Sequence, residues 1–354
     1  GEKVFSIVPA SLMPGGLTEE QARKARTEVV VGRFPFQANG KAVATVATVA
    51  MPQGDRLNYD PRLFSAAIAA GGTLGILIPP SINLIVYGFL TETSIPRLFT
   101  AGLIPGLLMA LAFVVITAIL CTWRPGLGGP TQRYGWGERI RSLVQLIPII
   151  ILFVVVIGSI YKGWATPTES AAIGVAMAAI IALFGDGLGL VAIRDSLLGT
   201  MRITAMIMLV IIGATFLNFT LTSSGLGREL TSLIKGAGLT PLGTLMLVIA
   251  LYIVLGFFIE TLSLMVATIP IVVPIIAGLG YDKVWFGIVL IVLIEMALIT
   301  PPVGLNLYVV QGARKSGSLT QVMVGIIPYV LVMLAMVVLL VAVPGLALWL
   351  PSRI

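Results

Sequence analysis

The sequence predicts an all-α polytopic membrane protein of two inverted repeats, each with a re-entrant hairpin and a spanning helix broken at Pro-Pro. Three observations lead there. Hydrophobic residues make up 58% of the chain and charged residues only 10%, against about 25% charged in soluble domains, and the mean hydropathy is +1.06. Several stretches run for roughly 18 or more apolar residues, enough to cross about 30 Å of hydrocarbon at 1.5 Å per residue. Finally, Tyr59-Asp60 to Pro79-Pro80 recurs as Tyr281-Asp282 to Pro301-Pro302, both pairs offset by the same 222 residues. Pro52 answers to Pro274 upstream, and Gly102 and Pro105 answer to Gly325 and Pro328 downstream after a one-residue slip. A short apolar segment, a broken helix and a long helix thus occur twice, the layout of repeat-built membrane folds.

Residues 1–37 are an atypical polar segment. EEQARKARTE (Glu19–Glu28) is highly charged, and Pro14-Gly15-Gly16 and Pro35 interrupt its surroundings. No basic start precedes an apolar run and cleavage site, so it reads as a tail or a mis-joined N-terminal end rather than a signal peptide.

Residues 38–121 form the first repeat. Ala42–Pro52 is apolar but too short to cross alone and reads as one hairpin arm. Arg62–Leu90 spans with a break at Pro79-Pro80, and Leu98–Cys121 spans again. Residues 122–240 supply connecting scaffold helices, with spans at Leu143–Ile160, Ser170–Phe184 and Ile203–Leu221. Residues 241–354 form the second repeat. Pro241–Gly278 is interrupted at Ile259–Ser263, as a hairpin with a polar tip would be; Val284–Gln311 is the second broken helix and Val322–Leu350 the last span.

Four spans and a non-crossing hairpin separate the broken helices, so the two run in opposite directions. Placing Arg56, Arg62, Arg124, Arg133, Arg139, Arg141, Arg194, Arg202, Arg314 and Lys315 on one side leaves six basic residues on the other, which makes the richer side cytoplasmic.

The net charge of +7 sits in loops and at helix ends rather than along one polar face, so positive-inside topology explains it and nucleic acid does not. The chain has no His, which excludes a His-dependent triad or a histidine metal site. Its single Cys121 allows neither an internal disulfide nor a Cys-based metal site. Gly71-Gly72-Thr73-Leu74-Gly75 and Gly126-Leu127-Gly128-Gly129 match no Walker or dinucleotide pattern, so they read as close packing and a loop, and ATP is not expected. No cofactor is expected.

Chemistry is expected at the breaks. Pro-Pro removes backbone donors and bars the preceding residue from helical angles, so nearby carbonyls and amides lose their helical partners. Unwound backbone at membrane depth is tolerated where it lines a cavity, and its carbonyls and half-helix ends suit Na⁺ and anions. Around Pro79 and Pro80, the residues Thr73, Ser81 and Asn83 offer oxygen ligands; around Pro301 and Pro302, Thr300 and Asn306 do. The plainer alternative is that Ser and Thr bond their own helix backbone.

Three acids lie in or beside apolar segments, where a carboxylate by default marks a pathway or ion site. Glu260, with Thr261 and Ser263, occupies the second hairpin tip and is a candidate site residue. Glu295 has no repeat-related acid, since the equivalent position is Thr73, and reads as structural, bonding a neighbouring helix. Glu169 in TPTES reads as a helix cap. Lys41 in ANGKAVAT stands at the first tip, where it would either compete with Na⁺ or attract an anion.

YDPRLFSAAIAAGGTLGILIPPSINLIVYGFLTETSIPRLFTAGLIPGLL resembles the large membrane subunit of TRAP transporters, the DctM-like permease family. So do FFIETLSLMVATIPIVVPI, LGYDKVWFGIVLIVLIEMALITPPVGLNLYVVQG and the intervening TPTESAAIGV. The resemblance covers roughly residues 38–350 and implies a multi-pass permease of the bacterial cell inner membrane. It implies a tripartite secondary transporter of elevator type: an extracytoplasmic solute-binding protein delivers a small organic acid, Na⁺ drives uptake, and a small membrane subunit completes the complex.

By position it assigns ion and substrate binding to Asn39, Gly40, Thr73, Pro79, Pro80, Ser81, Asn83, Glu260, Thr261, Ser263, Thr300, Pro301, Pro302 and Asn306. The chain departs from the family in lacking several helices before the first hairpin and in having Ala-Asn-Gly-Lys at the first tip. The alternatives are a dicarboxylate or citrate-type carrier working without a binding protein, and a permease fragment that inserts but does not transport. An intramembrane enzyme would need a dyad or metal motif in its spans, and none is visible.

Overall fold

The computed structural model describes residues 38–130, 135–144, 146–184, 189–225, 229, 238, 240–314 and 317–353. The polar segment 1–37 lies outside them. The described residues are helical and contain no strand. In chain order the helices are α1 (Ala38–Arg56), α2 (Pro61–Gly71), α3 (Leu74–Leu77), α4 (Ile82–Thr91), α5 (Ile95–Trp123), α6 (Trp136–Val144), α7 (Ile147–Tyr161) and α8 (Pro167–Phe184). They continue as α9 (Leu190–Ser224), α10 (Pro241–Gly256), α11 (Thr261–Gly278), α12 (Lys283–Ile299), α13 (Leu305–Ala313), α14 (Leu319–Ala342) and α15 (Gly345–Leu348). Six helical stretches among the described residues are long and apolar enough to cross a membrane: Pro61–Thr91, Ile95–Trp123, Pro167–Phe184, Leu190–Thr220, Thr261–Gly278 and Leu319–Ala342.

The chain divides into two compact units. One is formed by Gln132–Ile207 among the described residues, the other by Gln37–Thr131 with Met208–Ile354. In the first, α7 packs on α8. Ser159 and Ser170 join their hydroxyls at 2.7 Å, and Gly174 lets α8 approach Val156. Glu169 caps α8 as expected: its carboxylate accepts from the Thr166 N–H at 2.7 Å and the Thr166 hydroxyl at 2.8 Å, while the Glu169 N–H donates to the Thr166 hydroxyl at 3.3 Å. This reciprocal pair is a capping box. Val175 and Phe184 stand exposed, the latter at 89%, as suits side chains meant for hydrocarbon.

The second unit holds the repeated sequence, which has a local explanation. Asp60 accepts from the Arg62 and Leu63 N–H groups, and Asp282 from those of Val284 and Trp285. Each Asp is thus the N-cap of the helix leading to a break. Tyr59 stacks on Phe64 and Tyr281 on Trp285, with ring centroids 5.4 and 5.2 Å apart. Tyr-Asp therefore marks a helix start whose aromatic ring folds back over the first turns.

At the centre of this unit runs α12, buried on nearly every side from Val284 to Ile299, as a helix apolar all round should be. It touches α3, α4, α5, α10, α11, α13, α14 and α15. The Trp285 indole donates to the Leu340 carbonyl at 2.8 Å, and the Tyr87 hydroxyl to the Lys283 carbonyl at 2.7 Å. The two repeats exchange contacts. Helix α1 packs on α13, which follows the second break, and α11 packs on α4, which follows the first; α2 lies on α14 and α12 on α5.

Four expectations are corrected in detail. The first broken helix breaks twice, at Gly72-Thr73 as well as at Pro79-Pro80. There α1 comes so close that a Cβ on Gly72 would run into the Val43 side chain. The span drawn from Leu143 is two helices, because Pro148 starts α7. The span drawn from Ile203 already begins at Leu190, since the charges of Arg194 and Asp195 do not stop a helix. The last span ends at Ala342, where Pro344 follows, and a separate short turn takes the chain on.

Candidate functional site

Each break is built by the same rule. A residue preceding proline is pushed out of the helical region, and Ile78 (φ −76°, ψ 122°) and Thr300 (φ −93°, ψ 127°) are both extended. Both proline pairs hold a cis peptide bond. The helices restart differently. At the first break Ser81 caps α4, its hydroxyl accepting the Leu84 N–H at 3.4 Å. At the second, Gly304 stands at φ 39° and no side chain caps α13. A Cβ there would lie 2.8 Å from Leu307 Cδ1 in backbone geometry that L residues rarely adopt. The N-terminus of α13 is therefore open, with its positive end available.

The second hairpin tip lies against that opening. α10 ends at Gly256, the chain turns through Phe257–Ile259, and Glu260 caps α11 by accepting from the N–H groups of Leu262 at 3.1 Å and Ser263 at 3.0 Å and from the Ser263 hydroxyl at 3.1 Å. Tip and break together border a partly open cavity of about 220 Å³, lined by Phe258, Glu260, Thr261 and Leu264 on one side and by Ala297, Leu298, Val303, Gly304 and Leu305 on the other. Thr261 is 3% exposed, and its hydroxyl has no partner.

The candidate residues fall into three groups. Asn39 and Gly40 lie in the first turn of α1. The hydroxyls of Thr73 and Thr300 donate to the carbonyls of Ala70 and Met296, and those of Ser81 and Ser263 are used in helix caps. These side chains take the plainer role, though a hydroxyl that donates keeps lone pairs for a cation. The third group is left without partners: the Thr261 hydroxyl, the Asn83 amide nitrogen, and both amide atoms of Asn306, which is 0% exposed. Buried polar atoms are normally hydrogen-bonded, and exceptions call for a reason such as an absent ion or ligand. The structure brings Glu260 and Thr261 into one cavity with Gly304 and Leu305, next to Asn306 in the chain. Gly304 and Leu305 carry no polar side chain, so their residue types gave no sign of binding; the available signal was a glycine two residues after Pro301-Pro302.

Comparison with known proteins adds an independent line. The family model described as "Tripartite ATP-independent periplasmic transporter, DctM component" matches residues 39–346. The C4-dicarboxylate TRAP transporter large permease protein of Pseudomonas aeruginosa is 34% identical over 312 residues, covering 88% of this chain and 72% of the relative. Its counterpart in Vibrio cholerae is 32% identical over 373 residues, covering 98% and 80%. The sialic acid TRAP transporter large permease protein of Vibrio cholerae is 34% identical over 288 residues, covering 80% and 66%.

Proposed function

The chain belongs to the DctM component family of tripartite ATP-independent periplasmic transporters, and from this premise we propose that it takes up a small organic acid in symport with Na⁺ across the bacterial inner membrane. The observation that carries the reading is the cavity where an uncapped helix N-terminus meets the unpartnered Thr261 hydroxyl. The N-terminus of α13 attracts a carboxylate, and hydroxyl, amide and unwound carbonyl oxygens suit a hard cation. Cation binding first draws the tip of α11 against the break and so completes the site for the anion. A C4-dicarboxylate or a sialic acid is the substrate class suggested by the relatives. The solute is delivered by an extracytoplasmic binding protein, and a small membrane subunit joins the complex.

The exchanged contacts of α1 with α13 and α11 with α4 support an inverted pair of repeats with re-entrant hairpins. The repeats move together as an elevator, carrying the cavity across the bilayer.

Two experiments test this. In the complete transporter reconstituted with its binding protein, Thr261→Val keeps the shape of the side chain and removes the oxygen. The Na⁺ concentration for half-maximal uptake of labelled succinate or sialic acid should rise about tenfold, the loss of roughly 1.4 kcal/mol of ligand binding. An unchanged Na⁺ titration would remove Thr261 from the ion site. Single cysteines in place of Arg62 and Lys283, in a background with Cys121→Ser, should react with an impermeant thiol reagent from opposite faces of the membrane. Labelling from one face refutes the inversion.

A further inference from the structure

Glu295 stands outside the cavity just described. It lies near the end of α12, is 0% exposed, and neither of its carboxyl oxygens has a hydrogen-bond partner. The Leu77 N–H at the end of α3 approaches it without closing a bond of ordinary geometry. An acid of the second repeat thus reaches the first break, directly before Ile78, Pro79 and Pro80.

The groups available to neutralise it are few. Of the helices packed against α12, α3, α11 and α15 carry no titratable side chain; α4 carries Tyr87, α10 Tyr252, α13 Tyr308, α14 Tyr329, and α5 Arg97 and Cys121. On α12 itself Lys283 lies twelve residues away, about 18 Å along the helix, and is exposed. Arg97 is exposed too, and it lies before Gly102, the point where α5 passes the Leu77 carbonyl. Neither cation reaches a sealed carboxyl near Leu77. An uncompensated carboxylate in a packed interior is strongly unfavourable. The neutralising partner must be small enough for a closed site.

We infer that Glu295 holds a monovalent cation, a proton or Na⁺, at the junction of α12 with the first break, as a site separate from the cavity at the second. Occupancy of this site is tied to the packing of α12 on α3, because an ionised and empty Glu295 opposes that packing.

Thermal unfolding of the purified full chain tests this without recourse to transport, so the result is independent of the uptake reading. Wild type and Glu295→Gln are compared in NaCl against choline chloride at constant ionic strength, and across a pH series. If the cation is a proton, wild type gains up to about tenfold in its folded-to-unfolded ratio per unit fall in pH, relative to the variant. Na⁺ then stabilises wild type and variant alike, through the cavity at the second break, and the infrared carbonyl stretch of an un-ionised carboxyl is present in wild type at neutral pH. If it is Na⁺, wild type gains up to about tenfold more than the variant per tenfold rise in Na⁺, and that band is absent. Equal responses of wild type and variant to both ions overturn the inference. Should the variant not fold, wild type alone decides: neither the infrared band nor stabilisation by Na⁺ also overturns it.

Discussion

Asn306→Leu is expected to leave the protein more stable and the transporter at least about tenfold slower, a loss of 1.4 kcal/mol or more at the site. Asn306 is fully buried and neither amide atom has a partner. Leaving such groups unsatisfied costs about 1–3 kcal/mol, and leucine, of similar size, has no polar atom to satisfy. If asparagine served only the fold, leucine would be an improvement with no penalty. A residue kept against stability for the sake of binding gives opposite signs in the two measurements. The check is paired: melting temperature of the purified variant, and initial uptake by the reconstituted complete transporter. A stable variant with wild-type uptake would take Asn306 out of the site, and a variant that melts earlier would make it part of the fold.

Gly325→Val should have the largest effect on stability, about 3 kcal/mol or more, as overpacking against an immobile neighbour does. A Cβ at Gly325 on α14 would collide with the Arg62 carbonyl oxygen, lie 2.7 Å from its carbon and 3.2 Å from Ala66 Cβ. These atoms belong to α2, most of them to its backbone, so no rotamer change relieves the contact and the two helices must part. In α7, Gly158 meets nothing within 4 Å, and Gly158→Ala should gain about 0.5–1 kcal/mol of helix stability. Melting temperatures of both variants provide the comparison. A Gly325→Val protein that melts with wild type would mean that α2 and α14 are not in backbone contact.

Much of the fold could be read along the chain. Pro-Pro forced both breaks, Tyr59-Asp60 and Tyr281-Asp282 marked both helix starts, and Thr166 with Glu169 announced a cap, because each of these acts within a few residues of itself. The break at Gly72-Thr73 was not legible. Neither residue forbids a helix and both keep right-handed helical angles; the nearby Val43 side chain explains only why position 72 carries no Cβ.

The candidate residues divide along the same line. Thr73, Ser81, Ser263 and Thr300 spend their hydroxyls on nearby backbone or caps, an outcome that local rules allow. Which polar groups would stay unpaired depended on distant partners. Glu295 is the plainest case. Its sequence context suggested a bond to a neighbouring helix, and the tertiary structure brings the Leu77 N–H of α3 towards it without a bond of ordinary geometry.

By itself the sequence determined the membrane class, the repetition and the positions of the two Pro-Pro breaks, since hydropathy, spacing and proline stereochemistry are properties of the covalent chain. Only the tertiary structure decided that α1 meets α13 and α11 meets α4, that one helix start is capped and the other open, and that Glu260 and Thr261 share a cavity with Gly304. Those pairings join residues far apart in the chain, through packing that no local period encodes, and they determine which buried polar groups are left for an ion or a substrate to satisfy.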